Sequence, residues 1–339
     1  METGTLKKVT LVFVGMAMIV CLPAKDASAA AKYPSKPVTI VVGGGTGGSQ
    51  DSGQRGIQPY LQKALGVSVI VNNLPGAGGI VGANKVFDSP ADGYTLLSGH
   101  TAHLLLYRMN SSQCRFGTDF LKSFTSLGLF LNEDVGALCV NKSSSFKTFA
   151  DLLAKAKSSR ATIGIGGGMG SSDHLTVLLL QKYFGGNWTI IPYPSGGEAA
   201  AALMGNHIDA GHFGVTGAAD PDKFRILAQS GPKRVRQLPA DIPTYTELGQ
   251  KDLVVDWRLG LLVKKETDPE IVKTLKAALM TAANDPGFKQ WAEKTKTPIG
   301  DFGPAEQAQD YLQSVDQKSI QFLPLMQQSL KEMQQGKGK

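Results

Sequence analysis

Val38-Thr39-Ile40-Val41-Val42 runs straight into Gly43-Gly44-Gly45-Thr46-Gly47-Gly48-Ser49, and Ile57, Leu61 and Leu65 follow at four-residue spacing. An unbroken apolar run rich in β-branched residues suits a strand buried on both faces. The four-residue spacing marks one face of a helix, with Pro59 expected to bend or break it. The unit is therefore strand, glycine turn, helix, and it recurs along the chain. A strand over 67–71 ends in Asn73-Leu74-Pro75-Gly76-Ala77-Gly78-Gly79, and one over 94–97 ends in Ser98-Gly99-His100-Thr101. A strand over 135–140 precedes a helix through Phe149, Leu152 and Leu153. The segment 162–165 leads into Gly166-Gly167-Gly168-Met169-Gly170-Ser171-Ser172-Asp173 and a helix over 175–183. After a strand over 189–193 come Pro194-Ser195-Gly196-Gly197 and an alanine-rich helix. Strands over 226–229 and 259–263 and helices over 271–283 and 305–326 complete the pattern, with Pro324 limiting the last helix. Alternating strands and helices predict α/β layers with mostly parallel sheets.

Composition supports a folded protein. Of 339 residues, 42% are hydrophobic and 19% charged, which excludes disorder, and the length suits about two domains. Forty glycines without a short period belong in turns rather than in a collagen-like repeat. The net charge of +7 is spread thinly; its densest cluster is Lys233, Arg234 and Arg236, so a solvated basic surface is expected rather than a nucleic-acid partner. At the N-terminus, Lys7 and Lys8 precede an apolar stretch over 9–22 and then Ala27-Ser28-Ala29. That is the layout of a secretory signal over 1–29, too short to span a bilayer comfortably. Cys21 raises a lipoprotein reading, but Val20 stands where a small residue is expected, so soluble export to the periplasm is the expectation. In that compartment Cys114 and Cys139 could form a bridge, or remain two separate buried thiols.

Several chemistries can be weighed on the residues. Gly43, Gly45 and Gly48 satisfy the spacing of a dinucleotide loop, yet the second strand ends in Asn72 and Asn73, with no acid for a ribose. What survives is physical: amides at a helix start can face an anion. Ser171, Ser172, Asp173 and His174 adjoin in sequence, which leaves an exported hydrolase using Ser171 and His174 as the alternative function. His100 with His103, or His207 with His212, lacks a supporting acidic cluster, so neither metal nor cofactor is expected.

Longer motifs then carry a resemblance. Tyr33-Pro34-Ser35-Lys36-Pro37, Gly47-Gly48-Ser49-Gln50-Asp51, the turn 73–79 and Ala91-Asp92-Gly93-Tyr94-Thr95-Leu96-Leu97 come in a familiar order. Gly170-Ser171-Ser172-Asp173-His174-Leu175 follows, then Tyr193 and Asp209 sixteen apart, Leu238-Pro239 with Ile242-Pro243-Thr244, and the segment from Trp257 to Leu262. This resembles the Bug family, the extracytoplasmic solute receptors of tripartite tricarboxylate transporters. The resemblance implies a two-lobed periplasmic-binding-protein type II fold with the ligand cleft between lobes. Lobe 1 would combine 30–137 with 260–339, and lobe 2 would span 138–259. Crossings near 137–140 and 256–261 would let the lobes hinge, with Trp257 beside the second.

The resemblance also implies a non-catalytic, monomeric receptor. It would hold a small organic carboxylate through loop backbone and ordered water, and pass it to the membrane subunits of a tripartite tricarboxylate transporter or to an orphan sensing partner. The loops map to Gly44, Gly45, Thr46, Gly47, Gly48 and Ser49 in one lobe and to Gly170, Ser171, Ser172 and Asp173 in the other. Tyr193, Ser195 and Phe213 join the expected cleft, with His100, Thr101 and His103 as a distal polar wall. Asp51 is read as a helix cap, since its charge would repel an anion, and Arg55 stands at pairing distance from it. The sequence departs from the family where specificity would be set: Gly43-Gly44-Gly45-Thr46 replaces a proline-rich loop, Pro194-Ser195 replaces lysine–glycine, and His212 and Phe213 stand near the expected wall.

Overall fold

The computed structural model describes residues 1, 33–101, 103–216, 220–250, 256–299 and 305–335. The expected export signal lies outside the described residues. The chain divides into Met1–Lys32 and Tyr33–Lys339, and every described element belongs to the second unit. Strand β1 (Val38–Val42) leads to α1 (Ser49–Leu65), β2 (Val69–Asn73), α2 (Ile80–Phe87), β3 (Thr95–His100), α3 (His103–Met109) and the single turn α4 (Phe120–Ser123). The long β4 (Phe124–Asn141) precedes α5 (Phe149–Ser158), β5 (Arg160–Ile165), α6 (Ser172–Phe184), β6 (Asn187–Pro192), α7 (Gly196–Met204), β7 (Ala210–Gly214) and β8 (Phe224–Gln229). Then come β9 (Asp256–Lys264), α8 (Pro269–Asn284), α9 (Pro286–Lys294), α10 (Ala305–Ser319) and α11 (Leu323–Gln334). Among the described residues no helix is long and apolar enough to cross a membrane.

The strands form two sheets joined by β4. In the first, β1 pairs in parallel with β2 and β3, and the antiparallel β9 links β3 to β4. In the second, β5 pairs in parallel with β6 and β7, while β4 runs antiparallel to β7 and β8. The change of partner falls between Val135, opposite Asp256 of β9, and Gly136, opposite Gly214 of β7. One strand thus belongs to both sheets.

Each sheet is covered on both faces, which explains why its central strands read as unbroken apolar runs. Val38, Ile40 and Val42 point toward Ile57 and Leu61 of α1 and Leu275 and Leu279 of α8. Val41 and Leu97 point the other way, toward Ile80, Leu104 and Leu312. In the second sheet Leu138 and Val140 pack with Ile163, Ile165, Val177 and Leu179, whereas Ala137 and Cys139 face Ala199, Leu203 and Phe213. The two thiols belong to different clusters and are free, so the structure contains no Cys114–Cys139 bridge. Burial pushes the Cys114 thiol up to about 11.

Local differences from the sequence reading have physical causes. α1 runs unbroken through Pro59, which costs one intrahelical donor without ending the helix. The expected helix over 305–326 is two helices separated by a 3₁₀ turn at Ile320–Phe322, because Pro324 cannot donate to residue 320. α11 then packs on the second sheet's core through Leu323, Leu325 and Met326, while α10 places Ala308 and Leu312 in the first sheet's core.

Gly56 of α1 sets how closely α1 meets α9. A Cβ there would lie 2.1 Å from Trp291 Cη2, and the indole is stacked on Phe288 at 5.5 Å, so it has little room to retreat. Gly56→Ala should therefore destabilise by about 1–3 kcal/mol of overpacking, despite alanine's higher helix propensity. Urea unfolding checks this; a variant as stable as the parent would show that Trp291 repacks freely.

Candidate functional site

Three helices begin at the carboxyl ends of parallel strands and point at one place. α1 follows β1, α6 follows β5 and α7 follows β6. Their first residues or caps, Gly48 and Ser49, Ser171 and Ser172, and Ser195 and Gly196, line a single cavity of about 80 Å³. That is room for on the order of five waters, or for a small molecule in their place. Ligands in open α/β sheets gather at this end of the strands because amides there lack intrahelical partners. The helix dipoles add partial positive charge.

The caps differ in what they leave available. Ser171 Oγ accepts from the His174 N–H at 3.3 Å and donates to the Gly166 carbonyl at 3.0 Å. Ser195 Oγ accepts from the Glu198 N–H at 3.2 Å. Gly48 caps α1 with no side chain at all. Asp51 in that first turn accepts from the Gly47 N–H at 3.0 Å and from Arg55 Nε at 2.9 Å, so its charge is already engaged.

The loop after β1 sits directly on the turn before α7. A Cβ on Gly45 would lie 3.2 Å from Ser195 Cβ, and one on Gly197 would lie 3.0 Å from the Gly47 carbonyl oxygen. Glycine is needed here for backbone approach. The loops of the two sheets therefore approach each other beside the cavity. Leu106 of α3 fills the adjacent gap, since side chains on Gly78 or Gly170 would each collide with it.

Two side-chain groups form the polar wall. Asp173 and His212 are both buried, with Oδ1 and Nδ1 2.5 Å apart. Desolvation holds the Asp173 carboxyl above the usual carboxylate range, partly offset by the hydrogen bond from His212. His103, on the other side, has Nδ1 3.3 Å from Tyr107 Oη, and burial lowers its pKa to about 4. Among the described residues lining the cavity there is neither lysine nor arginine.

A nucleophile–base couple would need the His174 ring beside Ser171 Oγ. Instead, His174 Nδ1 accepts from the Gly170 N–H at 3.1 Å and Nε2 lies 3.2 Å from Ser329 Oγ of α11. With Nδ1 accepting, the neutral ring carries its proton on Nε2 and donates to Ser329. The hydrolase alternative loses its base. Among the described residues no three His, Cys, Asp or Glu side chains gather as metal ligands would.

The family described as the tripartite tricarboxylate transporter family receptor (TctC) matches residues 54–329. The chain belongs to this receptor family. A relative in Agrobacterium vitis, described as the UPF0065 protein in the TAR-I ttuE-ttuC' intergenic region, is 34% identical over 77% of this chain and 75% of its own length. Among solved structures, periplasmic binding protein BugD superposes with a TM-score of 0.75 at 24% identity, covering 86% of this chain and 98% of BugD. MatC from Rhodopseudomonas palustris, solved with bound malate, gives a TM-score of 0.75 at 24% identity, covering 87% of this chain and 100% of MatC. The receptor has their two-lobed periplasmic-binding-protein fold, and the shared strand β4 is one of the links between its sheets.

The expected site residues of this receptor separate into three groups. Gly44, Gly45, Gly48, Ser49, Ser171, Ser172, Asp173 and Ser195 line the cavity. Thr46 is exposed, Gly47 and Gly170 adopt positive φ beside the cavity rather than on it, and Tyr193 packs at the edge of a core cluster against Gly164. Two further residues do not line the cavity. Phe213 is fully buried in the core against Phe224, because it alternates with His212 on β7 and faces away from Asp173. Thr101 is buried where the β3–β9 ladder ends, and its Oγ1 accepts from the Arg258 N–H at 2.9 Å. The His100 and Trp257 side chains lie outside the described residues. His103, expected in the distal wall, lines the cavity, and the lining residues not foreseen are Gln50, Gly78, Gly166, Gly167, Pro194, Gly196 and Gly214; most are glycines at or beside strand ends, a visible signal that does not say which glycine turns inward.

Proposed function

We propose that this receptor captures one small organic carboxylate between its lobes in the periplasm and delivers it to the membrane subunits of a tripartite tricarboxylate transporter or to a sensing partner. The observation that carries the reading is the convergence of three helix N-termini on a cavity whose lining, among the described residues, offers amides and hydroxyls but no lysine or arginine. Such a lining suits an anion that needs several weak donors rather than a point charge. The bound malate of MatC supports the class. Export through a signal over 1–29, a monomeric state, and lobes drawn as 30–137 with 260–339 against 138–259 belong to the same proposal. α11, however, leans on the core of the second lobe.

The test begins with gently purified protein, denatured and analysed by mass spectrometry for small molecules. One organic acid per chain is expected. Malate and adipate are then titrated by calorimetry, with a one-to-one complex and unchanged ligand recovered. Conversion of the acid into product would sink the receptor reading.

A further inference from the structure

Asp173 is an unexpected wall for a carboxylate. It is 3% exposed, lines the cavity, and stands where an ionised side chain would repel the ligand. Among the described residues its charged-capable partner in hydrogen-bond contact is the fully buried His212, at 2.5 Å. The Gly166 N–H, which donates to the His212 carbonyl at 3.4 Å, lies beside the same carboxylate and favours its charged form. His212 is built in with care: its ring stacks on Tyr245 at 6.4 Å, and Gly136 leaves the space it fills, since a Cβ there would lie 2.3 Å from His212 Cε1. Its Nε2 is buried without a hydrogen-bond partner among the described residues, so the ring's hydrogen bonding runs through Nδ1 to Asp173.

We propose that Asp173 and His212 form a proton site coupled to the anion site, so that the receptor binds its carboxylate together with one proton held by this pair. The inference rests on the carboxylate reading above. With one proton, the pair is either a neutral acid beside neutral imidazole or a carboxylate beside imidazolium, and both have zero net charge. Without that proton the pair carries a negative charge at the wall of the cavity, and a buried negative charge beside the ligand's carboxylate disfavours having both ionised. Ligand binding therefore holds the proton on the pair, and deprotonation of the pair opposes ligand binding. The coupling is reciprocal.

The surrounding titratable groups leave this role to the pair. Cys139 from β4 and Tyr245 from the segment after β8 are buried thiol and phenol, both pushed upward and neutral. His174, next along α6, and His103, across the cavity on α3, are both lowered to about 4 and neutral near pH 7. Asp51 on α1 is paired with Arg55, and Glu198 on α7 is exposed and bonded to Ser195.

Imidazole ¹⁵N NMR on the wild-type chain reads the proton directly, first without ligand and then with saturating malate, between pH 5 and 10. The expected result is a single loss of proton from the pair, displaced to higher pH by malate. Malate affinity by calorimetry should fall about tenfold per pH unit above the free protein's midpoint. Asp173→Asn, which stays neutral, should bind malate at high pH at least as tightly as at low pH. An ionised Asp173 beside neutral His212 in the malate complex would overturn the coupling while leaving the receptor reading intact. A large loss of affinity in Asp173→Asn at every pH would also overturn it, by making the carboxylate a direct ligand contact. If neither malate nor adipate binds at any pH although the free pair holds its proton, the carboxylate reading falls and takes the coupling with it.

Discussion

Gly48→Asp should leave the protein folded and abolish carboxylate binding. Gly48 is the N-cap of α1 at φ −77° and ψ 167°, a conformation any residue adopts, and a Cβ there meets only ordinary contacts, the nearest being the Gly45 carbonyl oxygen at 3.5 Å. Aspartate is a favourable N-cap, so stability should hold or rise by a few tenths of a kcal/mol. Its carboxylate, however, would take the α1 amides and stand in the cavity. Repulsion between two charges about 5 Å apart at an effective dielectric near 20 is roughly 3 kcal/mol. That corresponds to a loss of affinity of at least about 100-fold. Gly48→Asn fills similar space without charge, so the gap between the two variants reports the electrostatic part. Calorimetry with malate, alongside melting curves, checks both halves. Wild-type affinity in a folded Gly48→Asp variant would remove the α1 N-terminus from the site.

The same residues show what the sequence could and could not disclose. Val38–Val42 with its glycine loop was legible because double-sided burial and close backbone approach each leave a local mark: an unbroken apolar run, and residues without side chains. β4 was only partly legible. Its first half pairs with β9 and its second with β7 and β8, so no single period of two describes the strand, and only 135–140 stood out. β7 was not foreseen as a strand because Ala210-Gly211-His212-Phe213-Gly214 has neither a hydrophobic run nor a clear alternation. His212 is tolerated there through Asp173, thirty-nine residues away, and such pairing leaves no local trace. The placement of Phe213 in the core has the same origin. Once 210–214 is a strand, adjacent residues must face opposite ways, and only one of the two could reach the cavity. Gly170 also changes meaning: its φ of +91° and its contact with Leu106 make substitutions there a test of backbone fit, not of the ligand's charge.

Stability should fall steeply as pH drops from about 6.5 to 4. His103 and His174 are each lowered from the ordinary 6.5 to about 4, in both cases because burial disfavours the charged ring. Lowered histidines bind fewer protons when folded than when unfolded across that interval. Their contribution is thus fully present above the unfolded value and is lost as pH falls toward the folded one. Each stands to remove up to roughly 3 kcal/mol, a large share of the 5–15 kcal/mol typical of a folded domain. Asp173 works in the opposite sense. Its raised carboxyl destabilises the fold at high pH, and that penalty is relieved as pH falls toward its unfolded value. The net slope is therefore smaller than the histidines alone would give, and a substitution isolates one of them. In His174→Gln the amide oxygen can accept from the Gly170 N–H and the amide nitrogen can donate to Ser329 Oγ, replacing both bonds without a titrating group. Urea unfolding at several pH values between 7.5 and 4 should show a shallower decline in this variant than in the wild type. Identical declines would mean that His174 takes up its proton in the folded state, with a pKa near its ordinary value despite being fully buried.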